Sequence, residues 1–304
     1  MFWAREKGLL WLCLLFWLVI GSAQARTVAD AGDGLTIEGL PQRVVVLEYS
    51  FLDAVALTGV TPVGIADDRK PKRILPKIQQ SLGKYTSVGL RGQPNLETIA
   101  SLKPDLIIAD KWRHQPIYDE LRKIAPTLLL LSYGARYKDL LRDAVVIGEA
   151  LGRSERMQQQ LNAHQQRMDS YAQQLAGQER LLFAVVSNRG MTVHGVEAFA
   201  SGVMQRLGLQ TAIPAVDTRA YLRVSFEQLA AMNPDWLFIG DYNAAQGGAD
   251  ILKRWQQHPL WPMLTVARKQ QLVKVQPNVW SLGRGIFAAE QIATDLLATS
   301  LAER

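Results

Sequence analysis

Residues 154–176 read SERMQQQLNAHQQRMDSYAQQLA, a run without Gly or Pro near the middle of a 304-residue chain. Met157, Leu161, Met168, Tyr171 with Ala172, and Leu175 recur at three- and four-residue steps. Such spacing draws one apolar stripe along an otherwise polar helix. Ser154 suits the N-cap, Glu155 places negative charge in the positive first turn, and Gly177 suits the stop. At 1.5 Å per residue this helix spans about 34 Å, roughly the width of a small domain. Segments of similar length flank it, 26–153 before and 177–304 after. The stretch therefore reads as a strut (154–176) joining two lobes, although a helix inside one domain would show the same periodicity.

The flanks alternate strands with helices. Val44–Leu47 (VVVL) is a short β-branched run of the kind that fills a buried parallel strand. Helix 51–59, strand 61–66 and a charged loop 67–73 follow, then helix 96–102, strand 106–109, helix 117–124, strand 127–131 and helix 137–151. Beyond the strut a strand restarts at 181–186, and the alternation runs to a final helix, 287–298. This pattern predicts an α/β protein: two Rossmann-like lobes, each a parallel sheet with helices on both faces, and a ligand cleft between them.

One echo links the halves. Residues 95–110 read NLETIASLKPDLIIAD and residues 225–241 read SFEQLAAMNPDWLFIGD. Asn95 and Ser225 are natural N-caps, which sets Glu97 and Glu227 at the second position of each helix, near its positive end. A carboxylate there stabilises its own helix by about 0.3–1 kcal/mol, and that alone would account for both. The duplication also supplies one matching acidic knob per lobe.

The first 25 residues have the form of an export leader. Arg5 and Lys7 precede an apolar run, Gly8 to Ile20, and Ala23-Gln24-Ala25 supplies a small-x-small cleavage site. The run is short for a bilayer span, which needs roughly 20 residues. Cleavage after Ala25 would remove Cys13, the single cysteine, and place Arg26 where a lipoprotein needs Cys. The expected product is a periplasmic protein with no lipid anchor, no disulfide and no thiolate metal site. Its net charge, +6 before cleavage, suits a small anionic ligand better than nucleic acid, which an exported protein seldom meets.

Three blocks carry a resemblance: PQRVVVLEYSFLDAVALTGVTPVGIADD, VGLRGQPNLETIASLKPDLIIAD and VWSLGRGIFAAE. They resemble the siderophore- and cobalamin-type periplasmic binding proteins that feed ABC importers, and within that family the binders of iron(III) dicitrate. The resemblance covers nearly all of the mature chain and is loosest between Leu182 and Asp217. It implies two α/β lobes bridged by one long helix, limited hinge motion, and an iron-chelate ligand. It further implies docking of Glu97 and Glu227 against arginines of an inner-membrane permease, and chelate contacts from Arg91, Arg284 and Trp280.

Ferric citrate is anionic, and its iron is already coordinated. The protein then needs forked cationic donors rather than metal ligands or a cofactor of its own. Strand-end loops offer Arg69, Arg91 and Arg113 in the first lobe, and Arg189, Arg219, Arg223 and Arg284 in the second. Tyr49, Trp112, Tyr221 and Trp280 could wall the ligand. Other ferric siderophores (hydroxamate or catecholate) and cobalamin remain alternatives. A bare metal ion is a further rival, though His114, His164, His194 and His258 show no ligand spacing. Gly283 to Ala288 fits the dinucleotide pattern G-x-G-x-x-A, but only 16 residues follow, and no G-x-S-x-G elbow occurs. The expectation is a monomeric binding protein rather than an enzyme.

Overall fold

The structure is a computed structural model that describes residues 25–32, 34–175, 177–214, 217–242 and 248–302. The expected leader, apart from Ala25, lies outside the described residues.

In the first lobe, β1 (Val44–Val46), β2 (Gly64–Ile65), β3 (Thr86–Ser87), β4 (Leu106–Asp110) and β5 (Thr127–Leu130) form one sheet. Its order is β3-β2-β1-β4-β5, and every pairing is parallel. Alternate side chains of a strand leave opposite faces. Val44, Val46, Leu106 and Ile108 accordingly enter one cluster together with α1 (Tyr49–Thr58). Val45, Leu47, Ile107 and Ala109 enter another, with Ile99 of α2 (Leu96–Ser101) and Leu121 of α3 (Tyr118–Ile124). The central strand β1 and its neighbour β4, up to Asp110, are apolar because both faces are covered, whereas the edge strand β3 is polar and exposed.

After α4 (Tyr137–Ala150) comes the strut, α5 (Ser154–Leu175). Met157, Met168 and Leu175 are buried, and Leu161, Tyr171 and Ala172 pack partly against the same core, as the stripe requires. The stripe also buries one polar residue, His164, which hydrogen-bonds Tyr137 at 2.6 Å and Glu290 at 2.9 Å. Ser154 is the first helical residue rather than a residue before the helix, a one-position difference of the sort common at helix ends.

The second lobe comprises β6 (Arg180–Ser187), β7 (Gly190–His194), α6 (Phe199–Arg206), β8 (Gln210–Thr211), β9 (Tyr221–Val224), α7 (Phe226–Met232), β10 (Trp236–Asp241), β11 (Leu272–Val275) and α8 (Ile286–Leu297). Its sheet order is β9-β7-β6-β10-β11, with β8 also paired to β6. Here the expectation of a wholly parallel sheet fails. Strand β6 turns into β7 through Asn188-Arg189, with Ser187 opposite Gly190 at φ 125°. Two residues cannot carry a crossover, so the strands run antiparallel, and β9 pairs antiparallel with β7 in turn. The remaining pairings, of β6 with β8 and β10 and of β10 with β11, are parallel.

The core continues from one lobe into the other. Val46, Leu52, Met157, Phe183, Phe238, Trp280 and Ile292 belong to a single cluster that passes beneath the strut. Fully burying a large apolar side chain contributes about 1.5–3 kcal/mol, so separating the lobes on this side would be costly. The opposite side, at the carboxyl ends of the strands, is where they face each other across polar groups.

Candidate functional site

Carboxylates and hydroxyls collect where the strands of the first sheet end. Glu48 lies just past β1, Asp67 and Asp68 past β2, Asp110 at the end of β4, and Ser132 past β5. This is the edge at which open α/β sheets receive ligands. The Glu48 carboxylate caps α1 through the Tyr49 N–H at 2.9 Å and is almost wholly buried. Arg91 Nη1 donates to its Oε1 at 2.7 Å, and Arg113 Nε donates to its Oε2 at 2.9 Å. Arg284, from the second lobe, lies 3.6 Å from Oε1 and donates to Ser132 Oγ at 3.0 Å. Burial alone would raise the Glu48 pKa, but Arg91, Arg284 and Arg113 outweigh it and bring it down to about 2. One carboxylate therefore holds three guanidinium groups together.

Arg91 occupies the turn between the short strands Gly89–Leu90 and Gln93–Pro94. Its Nε and Nη2 both meet Asp68 Oδ2, at 3.0 and 2.9 Å, and its guanidinium lies 4.5 Å from the Tyr49 ring centre. Only 8% of the residue is exposed. His114 fixes this turn from below: its Nδ1 accepts from the Asp110 N–H at 2.9 Å, and its Nε2 lies 2.7 Å from the Arg91 carbonyl. Burial keeps that imidazole below its ordinary pKa, which suits a neutral ring that accepts on one side and donates on the other.

Between the lobes is a cavity of about 260 Å³ lined by Arg113, Tyr133, His194, Tyr221, Tyr242 and Arg284, among others. Tyr133 and Tyr221 approach across it with ring centres 5.3 Å apart, and Trp112 stacks on Tyr133 at 4.1 Å. His194 is driven down to about 3, by burial first and then by Arg284, and is therefore neutral. Its buried Nδ1 has no hydrogen-bond partner among the described residues. Arg284 takes φ 36° and ψ 68°, a left-handed conformation that costs an arginine energy and must be held by its surroundings. The hold comes from the next residue. A Cβ on Gly285 would lie 2.3 Å from Asp53 Cγ, so only glycine lets the Asp53 carboxylate reach the N–H groups of Ile286 (2.9 Å) and Phe287 (3.0 Å).

The structure sorts the sequence candidates. Arg91, Arg113 and Arg284 converge, but Arg91 is turned inward onto carboxylates. Trp280 is not a wall: it is fully buried, packs against Phe183 and Phe238 with centroids 5.1 Å apart, and donates its indole N–H to Asp295. The helical turn Asn278–Gly283 directs it into the core. Tyr49 is likewise buried, its hydroxyl on the Asp67 carbonyl. Arg69 is exposed and lines a neighbouring cavity, Arg189 is exposed on the β6–β7 turn, and Arg219 pairs with Asp217. Arg223 is exposed opposite Thr192, on the strand face that also carries Tyr221. Glu97 and Glu227 are exposed at the second position of α2 and α7, with Asn95 and Ser225 capping as expected.

Glu48, Asp68, Ser132, Tyr133 and His194 were not anticipated. A carboxylate at the end of a buried strand, as in VVVLE, is the signal that could have flagged Glu48. Among the described residues, no group of three or more His, Cys, Asp or Glu side chains is placed to hold a metal ion.

Two α/β lobes on a single connecting helix, with cationic groups from both facing a cavity at the strand ends, are the architecture of a substrate-binding protein. The chain belongs to the periplasmic binding protein family, whose profile matches residues 44–279. It is 47% identical over 279 residues to the Fe(3+) dicitrate-binding periplasmic protein FecB of Escherichia coli K12, covering 91% of each chain. It is 38% identical over 278 residues to the Fe(3+)-citrate-binding protein YfmC of Bacillus subtilis 168, covering 91% of this chain and 86% of that one. Staphylococcus aureus SirA, in its staphyloferrin B complex, shares the fold with a TM-score of 0.80 at 24% identity, over 90% of this chain and 97% of that one.

Proposed function

We propose that this protein captures iron(III) dicitrate in the interlobe cavity and delivers it to an inner-membrane ABC permease for iron uptake. The observation that carries the reading is the meeting of Arg113 and Arg284, from opposite lobes, at one cavity beside a buried carboxylate. Guanidinium forks match the carboxylate oxygens on the outside of such a chelate. A ligand held by both lobes draws them together, and the continuous strut limits that motion to a small rotation. Similarity to two ferric citrate binders supports this choice of chelate.

On this reading Arg113 and Arg284 face the ligand, whereas Arg91 acts through Glu48 by fixing it between the other two. Neutral His194 and Tyr221 supply uncharged donors and acceptors. Exposed Glu97 and Glu227 present one carboxylate per lobe to the permease. The protein performs no chemistry on the chelate, works as a monomer, and reaches the periplasm through a cleaved leader without a lipid anchor.

The stacked Trp112–Tyr133 pair at the cavity edge favours one second reading, an aryl chelate of the catecholate type. A binding competition among ferric citrate, iron-free citrate, a ferric catecholate and a ferric hydroxamate separates them. Ferric citrate should bind tightest; preference for the catecholate would replace this reading with the second.

A further inference from the structure

The cleft continues past the Arg284 cavity. Tyr242 contributes to the wall of that cavity and also to the wall of an adjoining one of about 560 Å³. One side of the second cavity is the loop after β2, with Arg69, Lys70, Lys72 and Arg73; the other is Asp241, Tyr242 and the segment 276–278 of the second lobe. Asp68 and Arg69 adopt left-handed backbone, φ 58° and 54°, and so turn the loop. Arg73 is tied to Asp68 at 2.9 Å. Arg69, Lys70 and Lys72 are exposed and have no ion-pair partner among the described residues. Among the described residues, four cations, Arg73 being paired with Asp68, thus border this space against one carboxylate, Asp241.

Size separates the roles of the two cavities. The inner one, at about 260 Å³, falls below the roughly 300–1,000 Å³ typical of small-molecule sites. It can take part of a chelate built from two tricarboxylates, and the remainder must extend past Tyr242. We infer that the site is bipartite: Arg113 and Arg284 hold one polycarboxylate unit of the chelate, and Arg69, Lys70 and Lys72 form an outer subsite for the second. This inference rests on the ligand proposed above. The residue types fit the division. Buried Arg284 and half-buried Arg113 fix the geometry of the inner unit with guanidinium forks, while at the exposed rim the ammonium groups of Lys70 and Lys72, beside Arg69, act as flexible charges that tolerate variation in the outer one.

The test is calorimetric titration of iron(III) dicitrate into three proteins at physiological salt. They are the wild type, a variant with Arg69→Gln, Lys70→Gln and Lys72→Gln, and a control with Lys123→Gln, Lys253→Gln and Arg254→Gln. Both triple variants remove the same charge from exposed positions, so folding is not at stake. The outer-subsite variant should bind at least tenfold more weakly than wild type, and the control should stay within twofold. Equal losses in both would reduce the loop to long-range attraction and overturn the subsite, as would unchanged affinity in the first variant. Failure of the wild type to bind the chelate would instead strike the ligand assignment itself.

Discussion

Arg284 of the second lobe lies 3.6 Å from the carboxylate of Glu48 in the first, with Ser132 Oγ accepting from the same guanidinium at 3.0 Å. The contact crosses the cleft, so the charge that organises the cavity also ties the lobes together there. Glu48→Gln would remove the negative charge and leave Arg91, Arg113 and Arg284 mutually repelling at buried or half-buried positions. Breaking a buried ion pair from one side costs about 3–5 kcal/mol. Urea unfolding of Glu48→Gln should show a loss of that order, and a loss below about 1 kcal/mol would deny Glu48 its organising role.

Gly285→Ala tests how Arg284 is aimed. The added methyl would sit 2.3 Å from Asp53 Cγ, and neither a helix N-terminus nor a buried carboxylate moves freely. Overpacking of this kind costs about 1–3 kcal/mol. Thermal unfolding should register that loss, and ferric citrate affinity should fall with it because Arg284 is displaced. A variant as stable and as avid as wild type would show that the Asp53 contact is dispensable.

His194 sets a pH dependence. An unfolded imidazole titrates near 6.5, whereas burial and Arg284 hold this one at about 3. Between those values the unfolded chain binds the extra proton, so stability falls as pH drops from about 6.5 toward 3. The penalty is roughly 1–2 kcal/mol per pH unit in that window. Chemical denaturation between pH 7 and pH 5 should give a steeper profile for wild type than for His194→Gln. Parallel profiles would mean that the ring is protonated without penalty.

Glu97 and Glu227 occupy equivalent exposed positions, one on each lobe. Reversing both to Arg should abolish iron uptake in cells while leaving ferric citrate affinity within twofold of wild type. Uptake at the wild-type rate would remove them from the permease contact.

The elements themselves were legible because short-range pattern decides them. VVVL becomes a buried strand, Asn95 and Ser225 become caps, and the Met157–Leu175 stripe becomes a packed helix face. The mixed second sheet was missed because the β6–β7 connection, Asn188-Arg189, lies inside what reads as continuing alternation. The site was legible only in its cations. Arg91, Arg113 and Arg284 announce themselves by charge at strand ends, but their common partner Glu48 is defined by residues 43 and 65 positions away, and by Arg284 farther still. No local pattern records such a meeting. Trp280 misled for the converse reason: it stands four residues before Arg284, yet the intervening turn directs the two side chains to different surroundings.

The most direct test of the account is isothermal titration of ferric citrate into the wild type, Arg113→Ala and Arg284→Ala. A charge-assisted hydrogen bond contributes about 1.5–3 kcal/mol. Each variant should therefore bind at least tenfold more weakly, with the loss appearing on either lobe. Affinities unchanged from wild type in both variants would contradict the claim that the two lobes grip an anionic chelate with their arginines.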